Sequence, residues 1–191
     1  MSGMPGSIRR RFERYRSAPL TWLADGENRR PTVCWVDERR EVLCEHDVDF
    51  IFEEIAGRML GGRYYPPDTL DFFGEWMDEN RPIRAGDRIL QRARVLPFSQ
   101  WPVLWAMTEV FVAERTPSTC AIGYVTTKRH FGRGIWQASL TKSDRGLELS
   151  VSSTSSPYSW LFWIGLPIAR RLQLRAWRRA FEEYKSLCAK G

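Results

Sequence analysis

Cys120–Leu140 reads CAIGYVTTKRHFGRGIWQASL, and Ser155–Phe181 reads SSPYSWLFWIGLPIARRLQLRAWRRAF. The first stretch alternates like strands: Ile122, Tyr124 and Thr126 share one side, and Trp136, Ala138 and Leu140 share another. The second changes to a helical period. Ala169, Leu172, Ala176, Trp177, Ala180, Tyr184 and Leu187 fall on one side of a helix, opposite Arg171, Arg175, Arg178, Glu182 and Lys185. So long an apolar stripe needs an apolar surface to cover, and the strands before it supply one. The expected fold is α+β: a curved antiparallel sheet wrapped on a long C-terminal helix, a helix-grip arrangement.

Working outward, Asp87–Leu96, Val103–Arg115, Thr119–Thr127, Ile135–Thr141 and Leu147–Thr154 read as short strands separated by Pro, Gly or Asp-rich breaks, which predicts an antiparallel meander. In the last, Leu147, Leu149 and Val151 oppose Glu148, Ser150 and Ser152. Ser156 is expected to cap the long helix, with Pro157 at its first position and a kink at Gly165–Pro167. Upstream, Val48–Leu60 has helical spacing and ends at Gly61-Gly62, and Thr69–Met77 is expected as a second short helix. Thr32–Val36 and Glu41–Glu45 read as two short strands around a charged turn, Asp37–Arg40. Residues 1–17 are expected to be a flexible basic segment that includes the start of a short amphipathic helix at 8–23. Residues 18–191 then form a single domain.

The 191 residues include 43% hydrophobic and 13% aromatic side chains, with 9 Trp, enough for a substantial core or an aromatic-lined cavity. The net charge of +6 concentrates in two poles, IRRRFERYR at 8–16 and the arginines of 170–179. Such poles suit an acidic protein or a membrane surface. Without a recognition motif, nucleic acid is disfavoured as a partner. Cys34, Cys44, Cys120 and Cys188 have no metal-ligand or redox spacing, so no metal and no cofactor are expected. The Arg-rich start lacks an apolar leader segment, and the longest apolar run, Trp160–Ala169, is about half a membrane span, so a cytoplasmic location is expected.

Three places carry a family resemblance: Tyr124, Thr126, His130 and Gly134; the turn Ser155-Ser156-Pro157; and GLPIARRLQLRAWRR at Gly165–Arg179. Together they resemble the domain-of-unknown-function 1990 family over residues 88–181, and the element order resembles START-like and Bet v 1-like helix-grip proteins. Three positions depart from the family pattern. Ile135 and Trp136 follow Gly134 where the family has two glutamates, and Ser156 stands at the arginine of its serine–arginine–proline turn. The resemblance implies the fold and carries no activity with it.

No nucleophile elbow, phosphate loop or dinucleotide fingerprint is present. Glu109 shares a strand face with Trp105, Met107 and Phe111; buried there unpaired, it would have the raised pKa of a general acid. Pairing with Arg92 or Arg94 would quench that role. The opposite face, Leu104, Ala106, Val110 and Val112, is equally apolar, so periodicity does not say which lies inside. His130 is the other candidate acid or base, and a turn-bound structural histidine is its plain alternative. The reading is a binder of a small apolar or aromatic ligand held by Trp105, Met107, Phe111, Tyr124, Thr126 and Trp136, with His130 near an opening. Two alternatives stand beside it. One is an interaction module using the basic N-terminus and an anion-binding ridge of Arg171, Arg175 and Arg178. The other is an enzyme of the same fold using Glu109 or His130.

Overall fold

In the computed structural model the chain runs α1 (Gly6–Tyr15), β1 (Trp35–Cys44), α2 (Val48–Leu60), β2 (Leu70–Phe73), α3 (Trp76–Glu79), β3 (Arg88–Arg94), β4 (Val103–Arg115), β5 (Thr119–Thr126), β6 (Gly132–Ser143), β7 (Gly146–Pro157) and α4 (Trp160–Cys188). It describes residues 3–21, 35–66, 68–94, 103–130, 132–157 and 160–189, apart from the side chains of 157 and 160–169. Cys34, most of the strand expected at 32–36 and the side chains of the apolar run 160–169 lie outside the described residues. The strands form one antiparallel sheet in the order β1-β7-β6-β5-β4-β3-β2. From β3 to β7 the connections are those of a meander, and β1 crosses to pair with β7. The sheet curves around α4 in the helix-grip fold.

Both faces of the sheet are apolar, and each has its own helix. On the concave face, Ile122, Tyr124, Trp136, Ala138, Leu140, Leu149 and Val151 form the main core with α2 and with Ala176, Trp177, Ala180, Phe181 and Tyr184 of α4. The five apolar residues of α2, from Ile51 to Met59, are all buried, so α2 fills one end of the concavity. On the convex face, Met4, Ile8 and Phe12 cover Phe73, Leu90 and Met107. Residues 1–17, expected as a flexible extension, therefore contribute a packed element, because Ile8 and Phe12 lie four apart on one face of α1. The basic residues around them are partly engaged. Arg9 pairs with Asp78 at 2.7 Å, Arg16 with Glu75 at 3.1 Å, and Arg11 lies 4.7 Å from the centre of the Trp105 ring.

Three local expectations change. Residues 37–40 are not a turn: β1 continues through them, pairing Asp37 with Ser153 and Arg40 with Ser150. Its charged side chains are matched from neighbouring elements, Asp37 by Arg170 at 2.6 Å and Arg40 by Glu148 at 2.5 Å. Within the segment expected as a second helix, Leu70–Phe73 is the edge strand β2, followed by the single-turn α3. Aromatic residues suit a pleated, half-buried edge better than an isolated helix. Ser156 and Pro157 do not begin α4; they end β7, opposite Arg133 and Gly132. Through Gly165–Pro167, α4 runs as one helix.

Glycine is required where backbones crowd. A Cβ on Gly74 would fall 1.7 Å from the ring of Trp76, which is fully buried, and one on Gly134 would fall 2.0 Å from the Thr154 carbonyl oxygen. Among the described residues Cys44, Cys120 and Cys188 are free thiols, and no described helix is long and apolar enough to cross a membrane.

Phe12 anchors α1, with a side chain 1% exposed. Phe12→Ala should therefore lower unfolding free energy by about 3–5 kcal/mol in urea titration. A loss below about 1 kcal/mol would show that α1 does not pack on the convex face.

Candidate functional site

The concave face is not filled along its whole length. Between the sheet and the middle of α4 lies a cavity of about 470 Å³. It sits at one end of the strands. Its walls come from the end of β3 (Gln91, Ala93, Arg94), the end of β5 (Tyr124, Thr126), the start of β6 (Arg133 to Trp136) and the end of β7 (Ser153 to Ser156). Tyr65 and Leu70 close another side, and Leu172, Gln173, Arg175, Ala176 and Trp177 of α4 form the roof. Because α2 packs the opposite end, the space is left where α4 crosses the strand ends.

Its aromatic wall is ordered by strand register. Tyr124 and Trp136 are directly paired across β5 and β6, and their rings stack with centroids 4.9 Å apart at 18°. Tyr65 lies 6.0 Å from Trp136, and Tyr64 meets Trp136 edge-on at 5.0 Å. From the far side, the Tyr184 hydroxyl donates to the Tyr64 carbonyl at 2.7 Å, tying α4 to this cluster. Burial pushes the Tyr65 and Tyr124 phenols above their ordinary range, so both are neutral hydroxyls at physiological pH.

Thr126 lines the cavity but its hydroxyl is engaged by the protein. It accepts the Gly134 N–H at 2.8 Å and lies 2.7 Å from the Thr21 hydroxyl. Glycine at 134 lets β6 approach β7 closely at the same point. His130 also lines the cavity. Its Nδ1 lies 3.0 Å from both the Gly132 N–H and the Gly132 carbonyl oxygen, which holds the ring within its own turn. Desolvation lowers its pKa to about 4, against a smaller opposing effect of the Gly132 backbone.

The structure separates residues that strand periodicity left together. Tyr124, Thr126, Trp136 and His130 meet in the cavity. Trp105 and Met107 do not: they lie on the convex face, where Met107 is buried beneath α1. Phe111 is also outside: it shares the parity of Met107 and Glu109, and a Cβ on Gly123 would come 2.8 Å from its ring. Glu109 shares the convex face and pairs with Arg88 at 2.7 Å, directly opposite on β3, rather than with Arg92 or Arg94. Those two arginines share Asp71, at 2.7 and 3.3 Å. The proposed arginine ridge also divides: Arg171 and Arg178 are exposed, whereas Arg175 lines the cavity.

Sequence reasoning missed Tyr65, Leu70, Gln91, Leu104 and Trp177 as cavity residues. A usable signal existed for the face of β4. The spacing of Met4, Ile8 and Phe12 makes a second apolar stripe, which demands a second apolar sheet face.

Residues 13–183 match the family described as "Domain of unknown function (DUF1990)". The chain belongs to this family. The match extends well upstream of the stretch that carried the resemblance and takes in the end of α1 and all of β1 to β3. No curated protein matches significantly. Among solved structures, Ara h 8.0201 superposes with a TM-score of 0.51 at 10% identity, covering 83% of this chain and 100% of that one. The di-domain ARO/CYC StfQ from the steffimycin biosynthetic pathway gives 0.51 at 9% identity, covering 83% of this chain and 51% of that one. Protein CV1439 from Chromobacterium violaceum gives 0.50 at 13% identity, covering 80% and 96%. Likeness at such identities establishes the shared START-like, Bet v 1-like fold alone.

The depressed His130 pKa has a sign. Below about pH 6.5 an unfolded histidine takes up a proton, while the folded one stays neutral until about pH 4. Stability contributed by the neutral ring is complete above pH 6.5 and is lost as pH falls through this window, by on the order of 2 kcal/mol for a partly exposed ring. His130→Gln should flatten that part of the stability–pH curve, and NMR should show one histidine titrating near pH 4. Two histidines titrating near 6.5 would refute the burial of this ring.

Proposed function

We propose that this protein binds one small, largely apolar or aromatic molecule in the cavity between the sheet and α4. The observation that carries the reading is the stacked Tyr124–Trp136 pair, which presents an aromatic wall to a space of about 470 Å³. That volume lies within the range of pockets for drug-sized ligands, about 300–1,000 Å³. Apolar ligand surface would be removed from water against Tyr65, Leu70, Leu104 and Trp136, at roughly 25 cal/mol per Å². Tyr124, Trp136 and the backbone around Gly134 would shape the site, and Thr126 would hold that backbone in place. Glu109, weighed as an acid, faces away from the cavity in its pair with Arg88, so the reading is of binding rather than of acid–base chemistry.

A neutral fluorescent hydrophobe, N-phenyl-1-naphthylamine, tests the site directly. It should bind with a stoichiometry of one, and Ala93→Phe, which places a ring in the cavity, should weaken binding at least tenfold while leaving the circular dichroism spectrum unchanged. Met107→Ala, beneath α1, should leave the affinity within about twofold. Equal affinity in wild type and Ala93→Phe would overturn the cavity as the binding site.

A further inference from the structure

The cavity is apolar along its walls, but the charges around it do not balance. Its lining includes Arg94, Arg133, Arg170 and Arg175, against two carboxylates, Asp37 and Asp68. Asp37 is taken by Arg170 at 2.6 Å, and Asp68 by Arg179, outside the cavity, at 3.3 Å. Arg94 shares Asp71 with Arg92, and its Nη1 is buried without a hydrogen-bond partner. Arg175 has no acidic partner among the described residues. Among the described residues, α4 thus carries a guanidinium over the cavity, that of Arg175, with no carboxylate paired to it.

A second, independent observation comes from buried groups in the same lining. The Trp136 indole N–H and the Ser156 hydroxyl are buried, at 4% and 2% exposure, and neither has a partner. Leaving such groups unpaired costs about 1–3 kcal/mol each. An indole N–H is donor only, and a guanidinium has donors and no acceptor. The unmet capacity of the site is therefore chiefly that of donors: Trp136 Nε1 and the Arg175 guanidinium, with the Ser156 hydroxyl able to join them.

Resting on the binding reading above, we infer that the ligand is an amphipathic anion, an apolar body with a single carboxylate, sulfonate or phosphate group that Arg175 receives at the α4 side of the cavity. The apolar part lies along Tyr124, Trp136 and Leu70, and the charged oxygens accept from Arg175. The guanidinium fork of Arg175 suits two oxygens at once, beside apolar walls that take the rest of the ligand. Arg171 and Arg178, exposed on α4, lack this setting.

Two probes with one ring skeleton test the inference: 8-anilinonaphthalene-1-sulfonate and its neutral counterpart N-phenyl-1-naphthylamine. Wild type should bind the sulfonate at least tenfold more tightly than the neutral probe. Arg175→Met should remove most of that advantage and change the neutral probe's affinity by no more than about twofold, while Arg175→Lys retains part of it. Arg171→Met should leave both affinities as they are. Equal binding of the two probes by wild type would overturn the anion inference and leave the cavity reading standing. So would an advantage that survives Arg175→Met, or one lost equally in Arg171→Met. If neither probe responds to Ala93→Phe, the cavity reading falls, and this inference falls with it.

Discussion

The seating of the α4 stripe on the concave face of the sheet is the interaction on which the rest of the structure depends. Trp177, Phe181 and Tyr184 are all buried there, each at 2% exposure or less. Side chains of this size remove about 150–250 Å² apiece from water. Their partners are aligned by strand register: Tyr124 opposite Trp136, Ile122 opposite Ala138, Cys120 opposite Leu140. A one-residue slip would turn each of these to the other face, so the helix and the register fix each other. The packing is complete where α2 joins it and incomplete toward the strand ends beyond, and the cavity is that incompleteness.

Much of this was legible in the chain. The alternation at 120–140 and the stripe at 169–187 placed Tyr124, Thr126 and Trp136 on the same side as the helix, and Val48–Leu60 and Val103–Arg115 were bounded as the structure has them. The inner face of β4 was not legible, because both faces are apolar and strand parity carries no label for inside. The bulge at Phe111 breaks that parity as well. β1 was obscured by Asp37–Arg40, whose charges look like a turn until Arg170 and Glu148 are brought alongside. Ser156-Pro157 has the composition of a helix start, yet pairing with β6 holds it in the sheet. Arg175 looked like one of three ridge arginines. It lies three residues after Leu172 and one before Ala176, both cavity residues, at the flank of the stripe where a long side chain reaches the opening.

Membership of the DUF1990 family establishes what kind of molecule this is and leaves its chemistry to the site. The fold offers a grip between sheet and helix; what is particular to this chain is what lines it. Ile135 and Trp136 line it, and Trp136 stacks on Tyr124. They make this part of the wall apolar, and Arg175 is the cation that the charged group of the proposed ligand would meet. The account thus reads the cavity as a place for a molecule with one apolar part and one charged part.

The measurement that bears most directly on this account is an NMR titration that follows the tryptophan indole resonances with 8-anilinonaphthalene-1-sulfonate as the ligand. Trp136 lines the cavity with an unpartnered N–H, whereas Trp105 lies on the opposite face beside α1. The account predicts that the Trp136 indole signal shifts strongly and saturably while that of Trp105 stays within its line width. A titration in which Trp105 moves and Trp136 does not would contradict it.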